Sequence, residues 1–261
     1  MYKSVNKKII DAKLNIEPFP YFVVKNMIPK NKLEELNKIL PGFNDVNAED
    51  ALTQGKLKTK KTILPDNKIY KKMSQTKIFN EINTTLKKIQ PSLIKKFQKQ
   101  IQTNISKKYQ KAKLNYHLSF SLMKKNYIKN PHLDRRDHMI HALFYPSTKS
   151  NSGGDLIISK LKNKKKVYDV FPPSKDLKKH KKYKVEKNFC IFILNVPWSY
   201  HSVDKYKGSK ERKYLYFVYD FKIKNSGAKT SNRKKGFNKN EFWNDVVKVK
   251  SKKRQKIFLT Q

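Results

Sequence analysis

Alternating apolar and polar positions predict β-strands through the second half of the chain. Over 116–123, aromatic or aliphatic residues at even positions alternate with mostly small or polar residues at odd positions. This is the period of a strand with one buried face, and the polar face could line a cavity. Apolar runs that are more continuous predict further strands at 139–145, 156–158, 189–195 and 212–221.

Helical spacing is clearest in the first half of the chain. Lys32 to Leu40 carries leucine and isoleucine three and four positions apart, which predicts a short amphipathic helix. A longer pattern of the same kind runs from Lys77 to Gln102, and Pro91 is expected to break it. The remaining long segments lack periodicity. We expect a loop near the site entrance at 43–65 and an excursion between strands at 160–187.

The charge of the chain has two interpretations. Lysine and arginine total 61 residues against 20 acidic ones, for a net charge of +41. A surface this basic can bind nucleic acid or another polyanion. Only five of the basic residues are arginine, however, and the lysines are spread along the whole chain, as expected of an AT-rich genome. Either way, weak and salt-sensitive adsorption to nucleic acid is expected.

Length and cysteine content indicate one intracellular domain. The 261 residues are predicted to form a single domain over 1–221, with a lead-in at 1–115, a β core at 116–221 and a lysine-rich extension at 222–261. The single cysteine, Cys190, excludes an intramolecular disulfide and favours a reducing, cytoplasmic compartment. No apolar run approaches the length of a membrane span, so we expect no membrane partner.

A candidate metal-binding motif lies between two of the predicted strands. His132 and Asp134 are two residues apart, so an extended backbone puts both side chains on one face. His201, from a distant strand, would complete a triad of two histidines and one carboxylate, which leaves three positions open on an octahedral iron. The alternatives are a surface-loop histidine and a turn histidine. His141 competes as a ligand, but we interpret it as a satisfied core histidine.

The order of motifs along this part of the chain is specific. Gly153-Gly154-Asp155-Leu156 lies between Asp134 and His201, and Arg212 lies eleven residues beyond His201. This set resembles the Fe(II)/2-oxoglutarate-dependent oxygenases, particularly the prolyl-4-hydroxylase-like branch, over roughly 116–220. The resemblance implies a mainly β fold with flanking helices, a double-stranded β-helix of the jelly-roll or cupin type.

The resemblance also implies the roles of the site residues. His132, Asp134 and His201 would bind Fe(II), and Arg212 would bind the far carboxylate of 2-oxoglutarate, the co-substrate, through its planar guanidinium. Tyr127 would hydrogen-bond the co-substrate or line the entrance, with a core tyrosine as the alternative. Ascorbate is a candidate additional cofactor.

The activity implied is that of a dioxygenase that hydroxylates its substrate and releases succinate and carbon dioxide. A protein, a glycan and a small metabolite all remain open as the substrate. Two alternatives involve nucleic acid: a basic β-sandwich that binds it without catalysis, and a demethylase of the same oxygenase superfamily.

Overall fold

Two antiparallel β-sheets are built mainly from residues 114–221, and residues 1–110 add three strands and the short helices. The computed structural model describes residues 1–47, 52–54, 59–135, 137–148, 152–163 and 171–221. The strands are β1 (Tyr21–Val24), β2 (Leu52–Gln54), β3 (Lys60–Ile63), β4 (Leu114–Met123), β5 (Lys129–His132), β6 (His138–Ser147), β7 (Leu156–Leu161), β8 (Leu177–Tyr183), β9 (Phe189–Leu194), β10 (His201–Val203) and β11 (Arg212–Phe221). The helices are α1 (Tyr2–Asp11), α2 (Lys30–Ile39), α3 (Lys68–Ser74), α4 (Lys77–Lys88), α5 (Gln90–Lys96), α6 (Gln98–Asn104) and α7 (Lys107–Gln110), with a 3-10 turn at Ser174–Asp176.

The larger sheet has the strand order β1-β9-β6-β11-β4-β3-β2, and the smaller sheet has the order β5-β10-β7-β8. The sheets face each other, since His201 of the smaller sheet packs its ring 5.4 Å from that of His141 in the larger one. The predicted strands at 116–123, 139–145, 156–158, 189–195 and 212–221 correspond to β4, β6, β7, β9 and β11.

The alternation in β4 separates the two faces of the larger sheet. Ser119 and Ser121 lie directly opposite Tyr216 and Tyr214 of β11, so the small polar positions share the inner face with these tyrosines. The other face is apolar and is covered by helices, because Tyr219 packs outward and its hydroxyl donates to the main chain of α4. The inner face therefore lines the space between the sheets, as the pattern predicted.

The helices form where the spacing predicts them. In α4 the residues Ile78, Phe79, Ile82 and Leu86 are buried, and the Thr76 hydroxyl caps the helix by accepting from the main-chain N–H of Phe79. The expected break at Pro91 is confirmed, because α4 ends at Lys88 and Pro91 lies in the first turn of α5. There its missing N–H costs little.

Two segments expected to be loops contain strands, so those predictions are wrong in part. Within 43–65, β3 pairs with β4 and sets Ile63 opposite Phe120. Within 160–187, β8 pairs with β7 as an edge strand whose central five residues are all exposed. A lysine-rich strand of this kind lacks apolar alternation and is typical of an edge that resists pairing with other chains. The helix α1 was not predicted from the sequence.

The predicted extension at 222–261 lies outside the described residues. Within the part of the chain that is described, no helix is both long and apolar enough to cross a bilayer. Cys190 is buried in β9 and is not in a disulfide.

Candidate metal centre

The three predicted metal ligands meet between the sheets. His132 ends β5, and its register partner across the smaller sheet is His201 at the start of β10. Asp134 follows two residues after His132. One donor atom from each of His132, Asp134 and His201 lies within 4.8 Å of the others. The sequence prediction that these three residues come together therefore agrees with the structure.

Main-chain carbonyls orient both histidine rings. His132 Nδ1 lies 2.9 Å from the carbonyl oxygen of Asn130, and His201 Nδ1 lies 3.0 Å from that of Ser199. Donation from each Nδ1–H leaves Nε2 as a lone-pair donor. The Nε2 atoms face Asp134, at 3.5 Å from Oδ1 for His132 and 3.9 Å from Oδ2 for His201. Two imidazoles and one carboxylate are a donor set that suits Fe(II).

Burial and charge favour the metal-binding protonation states. Burial alone would raise the pKa of Asp134, but His141, His132 and His201 together hold that pKa well below its usual range. Burial lowers the pKa of His201 to about 3. An ionised carboxylate beside a neutral imidazole is the form that binds a metal ion without first losing a proton.

His141 is not the satisfied core histidine that we expected. Its ring is fully buried, and neither ring nitrogen has a hydrogen bond within the described residues. Its Nε2 lies 3.1 Å from Asp134 Oδ2, so the ring faces the candidate ligand. The spacing from His132 gave no indication of this, because it depends on β6 passing across the site.

A second cluster nearby is a weaker metal site. Asp137, His138 and Asp220 also place donor atoms within 4.8 Å of one another. Both carboxylate oxygens of Asp137, however, accept from Arg135, at 3.0 Å from Nε and 2.5 Å from Nη2. A guanidinium in the cluster opposes cation binding.

Arg212 is a buried cation without a carboxylate partner among the described residues. It is 1% exposed. Its guanidinium donates to the carbonyl oxygens of Gly154 at 2.5 Å and Gly153 at 2.6 Å, and to Thr148 Oγ1 at 3.0 Å. The group lies 4.6 Å above the ring of Tyr206. A buried guanidinium whose hydrogen-bond acceptors are all neutral is set to bind an anion.

Tyrosines connect this cation with the metal ligands. The electrostatic neighbours of Tyr145 include Tyr214 and Arg212, and burial raises its pKa. Tyr127 is buried, and burial raises its pKa, with Tyr214, Tyr145 and Asp134 contributing. Tyr127 is therefore within electrostatic reach of Asp134 and of Tyr145.

The glycine pair shapes the Arg212 pocket. Gly153 and Gly154 have φ of 66° and 65°, and a Cβ added at Gly154 would lie 2.6 Å from Arg212 Nη1. The positive φ alone costs a non-glycine residue about 1–2 kcal/mol.

Gly154→Ala is therefore expected to displace the guanidinium, weaken binding of anionic ligands and lower the midpoint of thermal unfolding. Titration of the variant with 2-oxoglutarate checks the first effect, and calorimetry checks the second. Ala142→Gly, a substitution at a buried strand position of β6, is the control that destabilises without touching the pocket. Unchanged ligand affinity in Gly154→Ala would show that Gly153 and Gly154 are needed only for the conformation of the turn.

Solved structures of prolyl hydroxylases share this architecture. The sequence matches no protein-family model, and no curated protein is significantly similar to it. A prolyl-4-hydroxylase from Pseudomonas putida is similar at a TM-score of 0.52 and 13% identity, over 85% of this chain and 99% of that one. A prolyl 4-hydroxylase from Phytophthora capsici is similar at a TM-score of 0.50 and 12% identity, over 85% of this chain and 66% of that one.

These similarities establish the fold. The chain has the double-stranded β-helix of the Fe(II)/2-oxoglutarate oxygenases, with two facing antiparallel sheets and helices outside the larger one. The fold predicted from the resemblance of the sequence motifs is thereby confirmed.

Proposed function

We propose that this protein is an Fe(II)- and 2-oxoglutarate-dependent dioxygenase that hydroxylates a protein, glycan or small-molecule substrate. The observation that carries the proposal is the pairing of two features in one space between the sheets. Two oriented imidazoles and a carboxylate converge there. Arg212, a buried arginine without a carboxylate partner among the described residues, lies on the face of the larger sheet that lines this space.

His132, Asp134 and His201 would hold the iron. When bound, iron and 2-oxoglutarate supply the oxidising power, because decarboxylation of the co-substrate to succinate and carbon dioxide is coupled to insertion of one oxygen atom of O₂ into a substrate C–H bond. The protein's part is to leave coordination positions open and to keep the donor atoms in fixed orientations.

Arg212 would bind the far carboxylate of 2-oxoglutarate. Its hydrogen bonds to two carbonyls and a hydroxyl fix the plane of the guanidinium, and burial strengthens a charge-assisted pair by excluding water. Tyr145 is within electrostatic reach of Arg212, and Tyr127 is within reach of Tyr145 and Asp134, so both would line the co-substrate pocket. The carbonyl acceptors neutralise no charge, so the cation is available to an anionic ligand.

Anaerobic titration with Fe(II) and 2-oxoglutarate tests the proposal. We expect a weak visible charge-transfer band when both are present and none with either alone. Succinate release, measured with ascorbate in the assay, should then require both additions and oxygen. A protein that binds neither Fe(II) nor 2-oxoglutarate would refute the proposal and favour the non-catalytic β-sandwich.

The charge of the surface supports a second candidate, a nucleic-acid substrate. In β8, Lys178, Lys179 and Lys181 are exposed close together on a sheet edge. The arginines that would favour base recognition are few, so we rank this candidate second.

Oligonucleotide binding is predicted to be sequence-blind, to fall steeply with salt and to leave succinate formation unchanged. Replacement of Lys178, Lys179 and Lys181 by alanine should weaken that binding without changing the Fe(II) affinity. The measurement is succinate release at near-physiological salt with single-stranded and duplex oligonucleotides, each methylated or plain. Stimulation by a methylated strand alone would instead establish a nucleic-acid demethylase.

A further inference from the structure

The two carboxylate oxygens of Asp134 have different surroundings. Oδ1 lies 3.5 Å from His132 Nε2. Oδ2 accepts a hydrogen bond of 3.0 Å from the Tyr216 hydroxyl and lies 3.1 Å from His141 Nε2. Oδ1 is therefore directed at His132, whereas Oδ2 is closer to two groups from the larger sheet than to His201, whose Nε2 is 3.9 Å away.

Tyr216 is itself held by a second histidine. Its hydroxyl oxygen lies 3.0 Å from His138 Nδ1. Because the hydroxyl proton goes to Asp134, His138 must be the donor in its own contact, with the proton on Nδ1. The chain of donors runs from His138 through Tyr216 to Asp134. Hydrogen bonds that point the same way strengthen one another.

The far end of this chain is anchored to the main chain. His138 is the first residue of β6 and is buried. The side-chain amide of Asn195 donates to the carbonyl oxygens of His138 at 3.0 Å and Arg135 at 2.8 Å. These bonds tie the start of β6 to the segment after β9. The main chain at His138 is thus held in place, so its ring can position Tyr216.

His141 approaches the same oxygen from the middle of β6. Its Nε2 is within hydrogen-bond distance of Asp134 Oδ2, but the ring is not aligned for a bond, and both ring nitrogens lack a partner within the described residues. A buried imidazole with no other partner would gain from a hydrogen bond to this oxygen. His141 lies outside the three residues whose donor atoms are mutually close, which argues against its being a ligand.

We propose that Tyr216, supported by His138, and His141 are positioning residues that occupy Oδ2 of Asp134, so that the carboxylate offers a metal ion Oδ1 alone. This inference rests on the metal site of the proposed function. A carboxylate can bind a metal through one oxygen or both. Binding through both would take one of the positions that a chelating co-substrate and dioxygen require.

Tyr216→Phe tests this inference with Co(II) as the probe. The variant removes the donor to Oδ2 and keeps the ring, and loss of such a hydrogen bond to a ligand typically weakens metal affinity about ten- to a hundredfold. Calorimetric titration of the full chain measures the affinity. The visible bands of bound Co(II), which report the number and geometry of its ligands, should also change, because Oδ2 becomes free to coordinate.

Tyr219→Phe is the matched control. Tyr219 is on the same strand, but its hydroxyl donates to the Leu86 carbonyl on the opposite face of the sheet. The control should lower the unfolding temperature and leave both Co(II) affinity and spectrum unchanged. Equal Co(II) affinity and spectrum in wild type and Tyr216→Phe would overturn the inference while leaving the proposed function intact.

Two more pairs of variants separate positioning from structure. His138→Asn keeps an N–H donor near Tyr216 and should retain the wild-type Co(II) spectrum, whereas His138→Leu should reproduce the Tyr216→Phe spectrum.

His141→Leu should weaken the affinity for Co(II) about as much as Tyr216→Phe does. A loss as complete as that of His132→Ala would make His141 a ligand and refute its positioning role. Failure of the wild-type protein to bind Co(II) would refute the proposed function as well.

Discussion

His132→Ala, Asp134→Ala and His201→Ala are each expected to reduce Fe(II)-dependent succinate formation to background. Each change removes one of only three protein ligands, and two remaining donors hold the metal weakly. The three residues lie at the ends of β5 and β10 and in the turn between strands, and not in the apolar core. The variants should therefore fold, with circular dichroism spectra like that of the wild type.

Iron content and turnover must be measured on the same preparations. His180→Ala is a suitable control, because this histidine is exposed in β8 and contacts no predicted ligand. It should retain wild-type iron content and activity. Near-normal turnover with normal iron in any of the three alanine variants would exclude that residue as a ligand. Loss of iron together with loss of the folded state would instead indicate a structural role.

The strands and helices that could be predicted are those whose apolar residues recur regularly, every second position in a strand or every three to four positions in a helix. β4 alternates because one face meets the core and the other the cavity, and α4 buries one stripe against the sheet. β8 could not be predicted in this way, since neither of its faces is covered. An edge strand is defined by its hydrogen bonds to β7, which leave no hydrophobic pattern in the sequence.

The convergence of the three candidate ligands could be predicted from order and spacing, but the residues around them could not. Tyr214 and Tyr216 have the same parity as Arg212 along β11, so their inward direction was visible in the alternation once Arg212 was assigned. Tyr216 can reach Asp134 only because of the distance at which the two sheets pack. No local sequence pattern gives that distance. The same holds for His141, since its position depends on how β6 crosses the site.

The acceptors that hold Arg212 illustrate a further limit. Two of them are main-chain carbonyls of Gly153 and Gly154, and every residue offers such a carbonyl. The glycine pair could be recognised as a motif, but its contact with the guanidinium follows from backbone conformations at positive φ. A prediction that Arg212 binds an anion was possible, whereas the shape of its pocket was not.

Arg212→Ala is expected to raise the KM for 2-oxoglutarate about ten- to a hundredfold while the dependence on Fe(II) changes little. Loss of a charge-assisted hydrogen-bonded pair costs about 1.5–3 kcal/mol, and each 1.4 kcal/mol corresponds to about tenfold in affinity. The change leaves the Gly153 and Gly154 carbonyls without their donor, so the unfolding temperature should fall as well. Steady-state kinetics with varied 2-oxoglutarate, at saturating Fe(II), measures the effect.

Arg212→Lys and Lys213→Ala distinguish charge, geometry and position. A lysine at 212 keeps the charge but lacks the planar fork, so it should restore part of the affinity at most. Lys213 points the other way, since its Nζ donates to the Leu40 carbonyl at 2.8 Å, and its loss should leave the KM for 2-oxoglutarate unchanged. A normal KM in Arg212→Ala with a raised one in Lys213→Ala would transfer the anion site to the lysine. Because the two residues are adjacent on one strand and face opposite sides, the comparison tests which side of the strand binds the anion.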